Sequence, residues 1–229
     1  TNNVDCIVNF AAESDNNKAT HSPIDFPRTN VLGTSILLEA ARQYGKLKRF
    51  HHISTCEVFG ELPLKSSARF YENSPLNPRT PYNASKAGAD MMVKSYYHTF
   101  GLPISISHTA NNYGSHQFPE KVIPVFAIKA LHDQKLNLFK STGNKREWIH
   151  VLDNCRGIDT VLQKGKIGEA YNIGTGLEKS IMDIANDVLV ILGKPRTLKK
   201  IIPDRPGHDS RYLLDSKKIR KLGWKPKIE

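Results

Sequence analysis

Hydrophobic residues in the first half of the chain fall into short β-rich runs separated by longer stretches of helical spacing. Residues 4–10 are the first run, and it gives way at once to Ala11, Ala12, Glu13 and Ser14. A short apolar run ending in small residues marks a buried parallel strand opening into a ligand-facing loop. Over 30–44, Val31, Ile36, Leu37, Leu38, Ala40 and Ala41 recur on one face, which predicts an amphipathic helix. Residues 50–54 predict the next strand, with 55–60 as its exit loop. The polar, proline-bearing stretch 61–81 predicts a covering loop. A helix over 82–100 follows, with Met91, Met92, Val93 and Tyr96 on its apolar positions and Gly101 as its stop. Residues 104–107 predict a third strand, leading into Asn111-Asn112-Tyr113-Gly114.

Strands alternating with helices imply right-handed crossovers and a parallel sheet. The fold class expected is α/β, a partial Rossmann-like doubly wound sheet over 1–115. Beyond 115 the rhythm changes: a helix near 121–133, strands near 136–140 and 169–173, a helix near 180–192, and a basic helix ahead of Gly223. Residues 116–229 are read as a smaller mixed α/β substrate-binding cap, with some segments returning to the first domain.

Composition narrows the function classes. The 229 residues are ample for a buried core, and 39% hydrophobic with 24% charged content is ordinary for a globular protein. No apolar run approaches the roughly 18 residues of a membrane span. The first residues form neither a basic nor an apolar signal region. Cys6, Cys56 and Cys155 are scattered, without metal-ligand spacing, and fit reduced thiols in a cytoplasmic protein. The net charge of +11 is spread along the chain, without a nucleic-acid recognition motif. Neither nucleic acid, membrane nor metal is expected as a partner. A basic surface does suit a small anionic substrate.

The chemistry concentrates in Tyr82-Asn83-Ala84-Ser85-Lys86. Positions i and i+4 share a helix face, so phenol and ammonium can address one ligand together. A nearby cation favours the phenolate, which would let Tyr82 act as a base in hydride transfer from an alcohol. Pro78 and Pro81 set Tyr82 in a first helical turn. Thr55, Glu57 and Asn111 all fall just past strand ends, where open α/β sheets bind ligands. No Gly-x-Gly-x-x-Gly occurs in the sequence.

These stretches, with Phe118-Pro119-Glu120-Lys121, Arg146-Glu147-Trp148, residues 168–174 and Asp204-Arg205-Pro206-Gly207-His208-Asp209, resemble the extended short-chain dehydrogenase/reductases. Within them the chain is most similar to dTDP-glucose 4,6-dehydratases. The Tyr-Lys pair marks only the superfamily; the 204–209 segment with 118–121 is far more specific. The resemblance places the glycine fingerprint and two strands ahead of residue 4, so a fragment is expected. It implies NAD as cofactor, a nucleotide-diphosphate sugar as substrate (dTDP-glucose first) and a homodimer through the helices near 30–44 and 82–100. It implies catalytic roles for Tyr82, Lys86, Thr55, Glu57 and Cys56, and cofactor contacts from Ala11, Ala12, Ser14, Ser54, Tyr82 and Lys86. Substrate contacts fall to Thr55, Asn111, Arg146, Asn172, Arg205 and His208.

Departures from the family pattern matter as much. Cys56 stands where the dehydratases carry an Asp that protonates the departing hydroxyl. Asp15-Asn16-Asn17-Lys18 stands where a His and an Asp are usual, Phe59 replaces Tyr and Ser115 replaces Pro. Cys56 also reads as a small buried apolar residue. A related epimerase or decarboxylase, or an inactive nucleotide-sugar binder, therefore remain alternatives to the dehydratase.

Overall fold

The computed structural model describes residues 3–228. Four parallel strands form its main sheet: β1 (Cys6–Asn9), β2 (Arg49–Thr55), β3 (Ile104–Thr109) and β7 (Ala170–Ile173), side by side in that order. The register pairs Asn9 with His52, Thr55 with Thr109, and Thr109 with Ile173, so the strands end together along one edge. Every residue of β3 is buried, as a central parallel strand covered on both faces requires.

Helices α2 (Thr34–Tyr44) and α3 (Pro81–Phe100) pack together on one face, over Leu38, Phe50, Val93, Ile104 and Ile106. The predicted helix over 30–44 instead begins as a π-helical segment, Pro27–Gly33. Its wider turn carries the buried Asn30, which bonds both main-chain groups of Glu13 and the Ser85 hydroxyl, locking the β1 exit loop onto α3. The other face is covered by α5 (Val151–Lys164), a helix the hydrophobic pattern had not shown.

Past β3 lies a second body of structure. Strands β4 (Asn111–Tyr113), β6 (Lys145–His150) and β8 (Glu178–Ser180) form a small mixed sheet, and β5 (Leu136–Phe139) pairs with β9 (Lys199–Ile202). Helices α4 (Val122–Leu131) and α6 (Ile181–Ile191) pack against them over Phe126, Leu136, Leu138, Trp148 and Leu189. Two short helices complete the chain, α1 (Asn16–His21) after β1 and α7 (Lys217–Arg220) near the end. All five elements expected beyond 115 appear close to the predicted places, the basic helix ahead of Gly223 being α7. Strands β4, β6, β8 and β9 are additional. The loop 61–81 runs over the sheet, pinned where Phe70 pairs with Leu214.

Candidate active site

Thr80 caps α3 by accepting the Asn83 N–H at 3.2 Å, and Pro81 occupies the first turn, where its missing N–H costs nothing. Tyr82 and Lys86 follow one turn apart, both buried. Lys86 Nζ donates to the Ile53 carbonyl at 2.6 Å, fixing the ammonium against the last residues of β2. Asp90, one turn further, is fully buried and accepts from Ser54 Oγ at 2.9 Å. His108 Nε2 lies 3.0 Å from the same carboxylate oxygen. Tyr82, Lys86 and Asp90 thus form one stripe of α3 facing the sheet.

Strand β2 ends in Thr55, whose hydroxyl caps the 3-10 turn Cys56–Phe59 by accepting the Glu57 N–H. This turn aims Glu57 back toward Tyr82. Burial pushes the Glu57 carboxyl up, partly offset by the Arg146 cation and by Asn16, whose Nδ2 donates to Oε2 at 3.1 Å. Cys56 is 1% exposed, and burial followed by the Glu57 charge holds its thiol well above the ordinary range, so it stays protonated.

Tyr82 behaves differently from the sequence expectation. Burial raises its phenol first, the Glu57 charge adds to that, and hydrogen bonding to Thr55 works the other way. The Lys86 amine is itself pushed down by burial, with Asp90 opposing. In this structure the phenol is therefore held up by its surroundings rather than drawn down by the lysine, because a buried anion is costly.

The second body contributes from the other side. Arg146, on β6, is 7% exposed, donates to the carbonyls of Lys145 and Asp209 at 2.8 Å each, and lies 4.5 Å over the Tyr212 ring. Its charge acts on Glu57, as do those of Arg205 and Asp209. Asp209 is buried and accepts from Tyr212 and from Asn83 of α3, so the 204–212 segment is tied to the turn that carries Tyr82. His208 bonds Ser141 at 2.9 Å and packs against Phe139, and burial with the two arginines pushes it down to about 4. Arg205 Nη1 and Asn111 Oδ1 are buried and carry no hydrogen bond.

Tyr82, Thr55, Cys56, Glu57, Arg146, Arg205 and His208 therefore gather in one region, around the ends of β2 and β3. Asn172 does not join them. It is fully buried in β7, and its Nδ2 bonds the carbonyls of Phe70 and Asp215, which makes it a tie between sheet and covering loop. Ser54 turns its hydroxyl inward to Asp90. Ala11, Ala12 and Ser14 sit exposed past β1, with Lys121 Nζ donating to the Ser14 carbonyl at 2.8 Å. Sequence reasoning missed Asn16, Asp209 and Tyr212. Asp209 lay inside the quoted 204–209 segment, and the departure at 15–18 had pointed near Asn16 without giving it a partner.

The donor set bears on a nicotinamide cofactor. An ammonium with one of its three donors engaged, a phenol one turn away and a shelf of exposed alanines lie at neighbouring ends of parallel strands. These residues fit the nicotinamide-ribose end of NAD. No Gly-x-Gly-x-x-Gly is present in the chain for the diphosphate.

Comparison with known proteins gives the same direction. Residues 1–229 match the GDP-mannose 4,6 dehydratase family. The chain is 45% identical over 222 residues to the low-salt glycan biosynthesis protein Agl12 of Haloferax volcanii, covering 97% of this chain and 70% of that protein. It is 42% identical to the dTDP-glucose 4,6-dehydratase of Streptomyces niveus, covering 98% of this chain and 66% of that one. Among solved structures, the dTDP-glucose 4,6-dehydratase DesIV of Streptomyces venezuelae, with NAD and TYD bound, superposes with a TM-score of 0.95 at 43% identity. That match covers 99% of this chain and 69% of the other. The chain spans about two thirds of the length of these relatives. It belongs to the GDP-mannose 4,6 dehydratase family, among the nucleotide-sugar dehydratases, hydro-lyases built on a Rossmann-like parallel sheet.

Proposed function

We propose that the protein dehydrates dTDP-glucose to dTDP-4-keto-6-deoxyglucose, with NAD recycled within each turnover. The observation that carries this reading is that the buried Tyr82 phenol and the half-buried Glu57 carboxylate, brought by different elements, meet in one region at the ends of the parallel strands. When bound, NAD would supply the carrier that takes the C4 hydride and later returns it to C6, as Glu57 gives its proton back to C5.

Tyr82, its phenol drawn back down by the positive charge of bound NAD, would accept the C4 hydroxyl proton as the carbonyl forms, and Thr55 would hydrogen-bond the same oxygen. Lys86 would hold the nicotinamide ribose with its remaining donors, and Ala11, Ala12 and Ser14 would line the cofactor, while Ser54 braces the strand end through Asp90. Glu57 then takes the C5 proton, which the adjacent ketone has acidified; its raised carboxyl is a stronger base than a solvated one. The C5–H electron pair becomes the C5–C6 double bond, the C6–O bond breaks, and the hydroxyl leaves as water with a proton from the Cys56 thiol. Asn111, Arg146, Arg205 and His208 receive the nucleotide diphosphate, the arginines through their planar forks. Residues 1–115 act as the NAD-binding part and 116–229 mainly as the substrate-binding part. The protein works as a cytoplasmic homodimer, through the α2 and α3 faces that expose Ile36, Met91 and Phe100.

Full-length protein given dTDP-glucose should release a 4-keto-6-deoxy product that absorbs in base, with UDP-glucose and GDP-mannose turned over more slowly. Accumulation of a C4 epimer, or of NADH alone, would overturn the reading. Cys56 favours a second reading, in which the same fold catalyses epimerisation because no tuned acid assists loss of the hydroxyl.

A further inference from the structure

Asn16 opens α1, within a polar run that resembles an ordinary surface turn. Its carboxamide instead bridges two parts of the site far apart in sequence. Thr80 Oγ1 donates to Asn16 Oδ1 at 2.9 Å, and Asn16 Nδ2 donates to Glu57 Oε2 at 3.1 Å. The orientation of the amide is determined at both ends. Thr80 already accepts the Asn83 N–H as the cap of α3, so its own proton goes to the amide oxygen. The carboxylate can only accept, so it receives the amide N–H. The same hydroxyl that starts the Tyr82 helix therefore fixes the group that holds Glu57.

We infer that Asn16 is a positioning residue for Glu57, holding one carboxylate oxygen so that the other is presented to the substrate in its ionised form. The inference rests on the proposed role of Glu57 as the C5 base. Burial favours the neutral acid, and a neutral donor on Oε2 opposes it without bringing a second charge to the sugar. The other ionisable groups facing Glu57 are Tyr82 on α3, its neighbour Cys56, Arg146 on β6, and Arg205, Asp209 and Tyr212 on the 204–212 segment.

The test uses full-length protein carrying glutamate labelled with ¹³C at the side-chain carboxyl, with the Glu57 resonance assigned by Glu57→Gln. In Asn16→Ala the Glu57 titration should move up by about one pH unit, the scale of a hydrogen bond to a charged group. The acid limb of the kcat/KM profile should move up with it, and the isotope effect from C5-deuterated dTDP-glucose should rise. Asn16→Asp keeps the size and the Thr80 bond but sets carboxylate against carboxylate, so its upward shift should exceed that of the alanine variant. An unchanged Glu57 titration in folded Asn16→Ala or Asn16→Asp protein would overturn the inference. Because the resonance is read without turnover, a wild type that fails to dehydrate the sugar sinks the proposed reaction while the Asn16 link is still decided.

Discussion

The Tyr82–Lys86 side of the site and the Cys56–Glu57 side are held by different kinds of contact. Lys86 is fixed by a main-chain carbonyl of β2, and Tyr82 by its place in the first turn of a capped helix. Both supports follow from the local run Thr80 to Lys86, and both match the family pattern. Glu57 depends on side chains from three other places: Asn16 on α1, Arg146 on β6 and the 204–212 segment. There the chain departs from the pattern that the resemblance sets, with Cys56 after Thr55 and Asn16 bonded to Glu57. A contact made through a main-chain group survives a change of that residue's side chain, whereas a contact made through a side chain is lost with it.

The sharpest way to test that separation is Glu57→Gln. Loss of a placed general base lowers turnover by about 10²–10⁴. If the two sides are independent, this variant should still oxidise C4, and reduced nicotinamide should build up on mixing with dTDP-glucose. Absorbance that fails to rise would show that the sides act as one unit. In the wild type, kcat/KM should rise with pH through a limb above the usual carboxylate range, because burial lifts Glu57 and only its ionised form accepts the C5 proton.

Cys56→Asp addresses the departure itself. The position is buried next to Glu57, so a carboxyl there would be held protonated and ready to donate. Dehydration should gain about 100-fold, the lower end of the range for a placed general acid. No gain would mean that the leaving hydroxyl takes its proton elsewhere, with the proton newly held by Glu57 the nearest source.

The same contrast explains what the sequence discloses. Strands β2 and β3 and helix α3 are readable although several of their buried positions, such as His51, Ser107 and Asp90, are polar: Phe50, Ile53, Ile104 and Ile106 mark the strands, Pro81 and Gly101 bound the helix, and Tyr82, Lys86 and Glu57 lie at or beside their ends. Helix α5 is not readable, although it is 14 residues long, because its buried stripe includes Asp153, Asn154 and Gly157. Asp153 is satisfied by Arg156 and by the main-chain N–H groups of Lys227 and Ile228. Gly157 leaves room for Ile173, whose methyl would lie 2.7 Å from an added Cβ. Polar and glycine residues in those places imitate a solvated loop. Asn16 is hidden for a related reason: its partners lie 41 and 64 residues away. Asn172 errs in the opposite sense, since its place in the quoted 168–174 run gives no sign that its amide is consumed by two carbonyls.

The smallest effect sits behind Arg146, at Gly174. The neighbouring Glu147 is fully buried, and its carboxylate accepts the N–H groups of Gly176 at 2.6 Å and Leu214 at 2.8 Å. That staple ties β6 to the loop after β7 and to the segment that returns over the sheet. A Cβ on residue 174 would lie 2.4 Å from Glu147 Oε1 and 2.7 Å from its Cδ. The carboxylate is pinned by two main-chain donors and cannot swing aside, so Gly174→Ala should cost about 1–3 kcal/mol, as overpacking does. For a chain of this length, melting should fall by about 2–4 °C per kcal/mol. Successive strand residues face opposite sides, so strain at Glu147 reaches the site through the β6 backbone and Arg146. KM for the nucleotide sugar should rise a few-fold while kcat holds. A fall in kcat at constant KM would mean instead that β6 positions Glu57 as well as the diphosphate, and the two sides would no longer be separable.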